Sequence, residues 1–134
     1  MDCPLCNEAM VTFELNEVEI DYCFGCKGIW LDEGELELLI DNSEKSCELL
    51  DSFKIVRSSE KSRRCPICFK KMKKILATNS TKELLIDKCP KNHGFWFDEN
   101  ELTDILEIID LPGCGEIKKI LKEMFNYDSF GETT

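Results

Sequence analysis

Apolar and polar positions alternate twice in the first part of the chain: Val11, Phe13 and Leu15, then, after Asn16-Glu17, Val18, Ile20 and Tyr22. A period of two broken by a turn signal predicts a β-hairpin. The pattern recurs where Ile75 and Ala77 lead to Asn79-Ser80-Thr81 and Leu84 and Ile86 return. The second hairpin is four residues longer, and an even insertion shared by two strands keeps the same face inward. Elsewhere the period lengthens. Leu102, Ile105, Leu106 and Ile109 recur at helical spacing, and Leu36, Leu39 and Ile40 do so over a shorter span before Asp41-Asn42-Ser43. Asp32 with Glu35, and Asp98 with Glu101, form D-x-x-E capping boxes that predict where these two helices start. Cys47, Leu50 and Phe53 predict a further helix over 44–56. Ile117, Ile120, Leu121 and Met124 predict another over 116–126, beyond the break at Leu111-Pro112-Gly113-Cys114-Gly115.

The chain repeats itself. Cys23-Phe-Gly-Cys-Lys-Gly-Ile-Trp-Leu-Asp-Glu-Gly-Glu-Leu36 aligns with Cys89-Pro-Lys-Asn-His-Gly-Phe-Trp-Phe-Asp-Glu-Asn-Glu-Leu102, with seven of fourteen positions identical. Upstream of each block stands a matching pair, Cys3-Pro4-Leu5-Cys6 and Cys65-Pro66-Ile67-Cys68. Self-similarity of this kind marks one structural unit written twice. The organisation expected is a first unit over 1–57, a basic linker over 58–64, a second unit over 65–130 and a tail over 131–134. The class expected is a small, metal-stabilised α+β fold: two tandem ribbons, each a hairpin with cysteine knuckles, each followed by helices.

Nine cysteines in 134 residues, set in close pairs, match metal-ligand spacing better than a disulfide framework. In the first unit C-x2-C-x16-C-x2-C supplies Cys3, Cys6, Cys23 and Cys26, and zinc favours tetrahedral thiolate sites of this kind. Iron in a rubredoxin-like site would use the same ligands; zinc is the reading adopted. Pro4, which has no donor, begins a turn that leaves later amides free to aim at the Cys3 sulfur, and Gly25 and Gly28 relieve crowding around Cys26. The second unit supplies Cys65, Cys68 and Cys89, but Asn92 stands where Cys26 stands in the first. One residue later comes His93, the single histidine, giving C-x2-C-x20-C-x3-H and a site closed by an imidazole. Two Zn2+ ions per chain are therefore expected. Without His93 the second site would be either degenerate and empty or would hold three thiolates and water, the open coordination of a catalytic zinc. Cys47, on an apolar helical face, is expected to pack as a small hydrophobe. Cys114 lies in a loop between glycines. Trp30 and Trp96, bracketed by Ile29/Leu31 and Phe95/Phe97, are expected to cover the metal sites. Exposed, they would instead be stacking platforms for bases.

The net charge is −10, which disfavours indiscriminate coating of nucleic acid. Between residues 54 and 74, however, nine basic residues (Lys54, Arg57, Lys61, Arg63, Arg64, Lys70, Lys71, Lys73, Lys74) face one acid, Glu60, for a local +8 that leaves −18 elsewhere. This segment is the candidate patch for nucleic acid or another partner. One histidine, no phosphate-binding glycine loop and no Ser/His/Asp set leave nucleophilic or phosphoryl-transfer catalysis without its parts. The start, Met1-Asp2-Cys3, lacks the features of a secretory signal, and the apolar runs are too short to span a bilayer. A cytoplasmic, acidic protein is expected.

The motif C-P-x-C, hairpin, C-x-x-C-x-G-x-W-L-D-x-G-E-L over Cys3–Leu36 resembles the transcription factor zinc-finger family, a transcription-factor-IIB-type zinc ribbon. A second copy over Cys65–Leu102 resembles it less closely, with Asn92 and Asn100 departing from the pattern. The resemblance implies zinc on Cys3, Cys6, Cys23 and Cys26, and on Cys65, Cys68 and Cys89. The function expected is a non-catalytic zinc-binding adaptor that recognises another macromolecule, a protein in the first instance. The alternatives are nucleic-acid binding through 54–74 and a zinc enzyme with an open second site. No membrane role is expected, and an oligomer is compatible with the composition.

Overall fold

The computed structural model describes residues 1–15, 17–40, 43–57, 63–78, 83–99 and 101–109. The first ribbon comprises β1 (Val11–Leu15), β2 (Val18–Tyr22) and β3 (Ile29–Asp32), followed by α1 (Glu35–Ile40) and α2 (Ser43–Ser52). After β4 (Lys54–Val56) the second comprises β5 (Lys73–Thr78), β6 (Glu83–Lys88) and β7 (Gly94–Phe97), followed by α3 (Glu101–Ile109). Among the described residues the strands form one antiparallel sheet in the order β1-β2-β3-β7-β6-β5-β4. The sheet, more than the helices, carries the fold.

Both hairpins form where alternation placed them. Val11 faces Tyr22, Phe13 faces Ile20 and Leu15 faces Val18, while Ile75 faces Ile86 and Ala77 faces Leu84. Matched apolar residues thus sit opposite one another, the pairing unit that stabilises a sheet. The triplets around the tryptophans are strands. Ile29–Asp32 and Gly94–Phe97 are the third strand of each ribbon, and they pair with each other: Ile29 with Phe97, Trp30 with Trp96, Leu31 with Phe95. Phe95 is the repeat counterpart of Ile29 and Phe97 that of Leu31, so the two units meet about an approximate twofold axis through the tryptophan pair.

Alternation along these strands divides the interior. Ile29, Leu31, Phe95 and Phe97 join Leu36, Leu39, Leu49, Leu102, Ile105 and Leu106 in a core beneath the helices. Trp30 and Trp96 point the other way, into a second cluster with Cys3, Cys23, Cys65, Cys89 and Met72. With both faces covered, the central strands are almost wholly buried. The stacking-platform reading of the tryptophans fails, because both are 0% exposed.

Two local expectations are corrected, and a third is met. The helix expected over 44–56 stops at Ser52, and Lys54–Val56 instead adds an edge strand to β5; β-branched Ile55 and Val56 suit that pairing. Cys47 is exposed, and among the described side chains of α2 it is Leu49 that is buried. The capping boxes form in their acidic half, with the Asp32 amide donating to Glu35 Oε1 and the Asp98 amide to Glu101 Oε1, both at 2.7 Å. The aspartate carboxylates meanwhile accept the indole N–H of Trp30 (2.8 Å) and of Trp96 (2.9 Å), giving each buried ring nitrogen its partner. The helix expected over 116–126 and Cys114 lie outside the described residues.

Candidate metal centres

Four knuckles carry the candidate ligands. In the first (Cys3, Cys6) the Leu5 and Cys6 amides donate to Cys3 Sγ, each at 3.3 Å, as the donorless Pro4 allows. In the third (Cys65, Cys68) the Ile67 amide donates to Cys65 Sγ at 3.4 Å, and in the fourth (Cys89, His93) the Lys91 amide donates to Cys89 Sγ at 3.3 Å. Amides aimed at sulfur favour the thiolate, which is the form that binds metal.

The first three knuckles share one backbone. The amide four residues after the first cysteine bonds back to that cysteine's carbonyl: Asn7 to Cys3, Lys27 to Cys23 and Phe69 to Cys65, at 2.8–2.9 Å. Each of these donor residues has a left-handed φ of 62–64°. The fourth knuckle is tighter by one residue. Asn92, aligned with Cys26, takes the left-handed conformation itself (φ 61°), and its amide bonds to the Cys89 carbonyl at 3.0 Å. Asparagine tolerates this conformation well. Turning one residue early brings His93, not Asn92, to the vacant corner.

The ligand atoms of Cys3, Cys6, Cys23 and Cys26 all lie within 4.8 Å of one another, as do those of Cys65, Cys68, Cys89 and His93. Cys3 Sγ and Cys26 Sγ are 3.6 Å apart, as are Cys68 Sγ and Cys89 Sγ. Four thiolates about 2.3 Å from one tetrahedral zinc would be separated by about 3.8 Å. His93 Nδ1 lies 3.4 Å from Cys89 Sγ and 3.9 Å from Cys65 Sγ. Both donor sets fit zinc.

The thiols of each cluster are driven in opposite directions. Burial raises Cys65 to about 11, whereas the Lys70 amide, donating to its sulfur, brings Cys68 down to about 7. Burial likewise raises Cys6 and Cys26. It acts upward on Cys23 too, but the Cys26 amide and the neighbouring thiols outweigh it and leave Cys23 below the usual thiol value. Clustered thiols compete for one negative charge, and a divalent ion removes the competition.

Gly25 is not needed to relieve crowding at Cys26: a Cβ there would meet Cys6 Sγ and Cys23 Sγ at an ordinary 3.5–3.6 Å, and its one close neighbour is the end of Glu8, at 2.9 Å. Gly28 is the crowded position, where a Cβ would fall 2.1 Å from the Trp96 ring. Gly94, its repeat counterpart, leaves room for the Leu31 carbonyl at 2.1 Å and the Trp30 ring at 2.8 Å. These two glycines allow the central strands and their tryptophans to close.

Of the candidate basic patch, two members are consumed internally. Lys74 Nζ lies 2.8 Å from Asp87 Oδ1, and Arg63 Nη1 reaches Asp87 Oδ2 (3.3 Å) and Asp98 Oδ2 (2.6 Å). Asp98 in turn holds Trp96, so this chain of charges braces the second ribbon. Lys54, Arg57, Arg64, Lys70, Lys71 and Lys73 are exposed, and Lys61 lies outside the described residues. Asp87 and Phe69 are the residues that sequence reasoning missed. The first looks like any strand aspartate; the second could have been found by comparing it with Asn7, its counterpart in the repeat.

A sheet in which two knuckles grip a metal beside a three-stranded ribbon, twice over, defines a tandem zinc-ribbon protein. The chain belongs to the transcription factor zinc-finger family, a transcription-factor-IIB-type zinc ribbon, which matches it over residues 2–42 and 64–108, well over half its length. Together with the two donor sets this gives the chain two zinc ions. No curated protein and no solved structure matches it significantly. No helix among the described residues is long and apolar enough to cross a membrane.

Proposed function

We propose that this protein is a non-catalytic recognition module: zinc on Cys3, Cys6, Cys23 and Cys26, and on Cys65, Cys68, Cys89 and His93, fixes a rigid sheet whose surface binds another macromolecule. The observation that carries the reading is the position of His93 Nδ1, 3.4 Å from Cys89 Sγ and 3.9 Å from Cys65 Sγ, which fills the corner a catalytic zinc would keep for water. In this role the metal supplies folding energy, replacing core that so short a chain cannot build twice. The paired acids at the helix starts are engaged with amides and indoles, a structural use that accounts for their spacing. A protein partner is one reading of the exposed surface. Nucleic acid is the other, favoured by the six exposed cations of segment 54–74.

Cobalt(II) substitution tests the closed, structural role. Both sites should give tetrahedral thiolate spectra that azide leaves unchanged. A spectrum that shifts on adding azide would reveal an open position and overturn the reading.

A further inference from the structure

The first and third knuckles are the same backbone carrying opposite surfaces. Isolated bridges join Asp2 to Ala9 in one and Arg64 to Lys71 in the other. The Cys3 amide bonds to the Glu8 carbonyl, and the Cys65 amide to that of Lys70. At these matched positions Asp2 becomes Arg64, Glu8 becomes Lys70 and Ala9 becomes Lys71, a change from −2 to +3 on one scaffold. The scaffold folds with either set, so the reversal answers to something outside the fold.

Asn7 and Phe69 differ more tellingly. Both hold a left-handed backbone, φ 62° and 64°. Asparagine suits that conformation, but a bulky side chain there is an outlier. Burial does not offset the strain, because Phe69 is 67% exposed. Strain kept without packing gain points to use at a surface. Around this ring the Arg64 guanidinium donates to the Phe69 carbonyl at 3.1 Å, and Lys70, Lys71 and Lys73 are exposed. No carboxylate among the described residues pairs with these three lysines. Ile67, also exposed, extends the apolar tip.

Resting on the recognition reading above, we propose that the tip of the third knuckle binds single-stranded nucleic acid, with a base stacked on Phe69 and flanking phosphates met by Arg64, Lys70, Lys71 and Lys73. An exposed aromatic ring inside a basic collar is the combination that stacking and phosphate neutralisation require. Single strands are selected because a duplex hides its base faces. A short stretch of strand touches only the basic tip, whereas an extended anionic surface such as a membrane would meet the chain's net charge of −10. The acidic tip bearing Asp2 and Glu8 leads into β1, at the end of the strand order away from β5.

The test is fluorescence anisotropy of labelled 12-nucleotide RNA and DNA single strands, and of the matching duplex, with the zinc-loaded full chain at low salt. The wild type should bind single strands more tightly than duplex. Phe69→Asn installs the residue type that already holds this φ in the first knuckle, so it should fold at least as well. It should weaken binding by at least about 5-fold, leaving the salt dependence unchanged. Lys70→Ala with Lys71→Ala should instead flatten the slope of log K against log salt by about 0.7 for each phosphate no longer neutralised. Asn7→Ala should bind as wild type. The proposal is overturned if the zinc-loaded wild type binds no single strand, if duplex binds equally well, or if Phe69→Asn binds as tightly as wild type. Any of these with two zinc ions in place leaves the recognition module standing with a different partner. A chain that folds without zinc overturns the module and this site together.

Discussion

Trp30 stands directly opposite Trp96 across β3 and β7, each ring seated over the glycine ahead of the other unit's apolar triplet. This pair joins the two halves of an approximate twofold, lies in one buried cluster with cysteines of both metal sites, and hands its indole protons to Asp32 and Asp98. The ribbons are therefore expected to unfold as one cooperative body.

That cooperation makes the two glycines sensitive. Gly94→Ala would drive a methyl group to 2.1 Å from a backbone carbonyl, which cannot move without parting β3 from β7. The expected cost is about 3 kcal/mol or more. Gly28→Ala meets a side-chain ring, which can shift a little, so a loss of about 1–3 kcal/mol is expected. Gly25→Ala, whose nearest contact is the end of Glu8, should cost less than either. Denaturant melts of the three variants check the order.

Removing the metal should undo both halves together. On titration with a strong chelator, the emission of Trp30 and Trp96 should shift to the red in a single transition that coincides with loss of far-ultraviolet circular dichroism. Cys23→Ser, which damages only the first site, should lower the melting temperature of the whole chain without producing a second transition. Two separate transitions would mean that the tryptophan pair does not couple the ribbons.

The ion-pair chain gives a pH-dependent prediction. Burial holds the Asp87 carboxyl above its ordinary value, opposed by Lys74 and Arg63. The folded protein therefore binds more protons than the unfolded chain through the carboxylate range, and Asp87's contribution to stability falls as pH rises through that range. Arg63→Ala removes one opposing charge and raises the Asp87 carboxyl further. Its destabilisation should be about 2 kcal/mol near neutral pH, less than the ~3–5 of a fully buried pair because Arg63 is one-fifth exposed. The deficit should shrink on acidification. Melts of wild type and variant at matched pH between about 5 and 7 measure it, and a deficit that grows in acid would contradict the assignment.

Much of this was legible in the sequence, and the gaps have physical reasons. Alternation at Val11–Tyr22 and Ile75–Ile86 gave the hairpins because each has one buried face, and cysteine spacing gave the metal clusters because ligand geometry is local. The pairing of Ile29–Asp32 with Gly94–Phe97 left no such trace. Strands buried on both faces show no alternation, and no turn joins two strands so distant in the chain. The signal was present in the glycine before each triplet and in the repeat itself, once the triplets are taken as strands. The overlong helix at 44–56 reflects tertiary pairing of Ile55 and Val56 with β5 overriding local periodicity. His93 was legible as a neighbour of the vacancy, but the early left-handed turn at Asn92 that aims it was not.

In the proposed module both zinc sites are closed, with His93 the fourth ligand of the second. Zinc per chain, measured by elemental mass spectrometry on wild type and His93→Ala after exhaustive dialysis, tests it most directly. The wild type should hold about two zinc ions and the variant about one, and the variant's melting temperature should also fall. An unchanged zinc content in His93→Ala, or a wild type that holds only one, would contradict it.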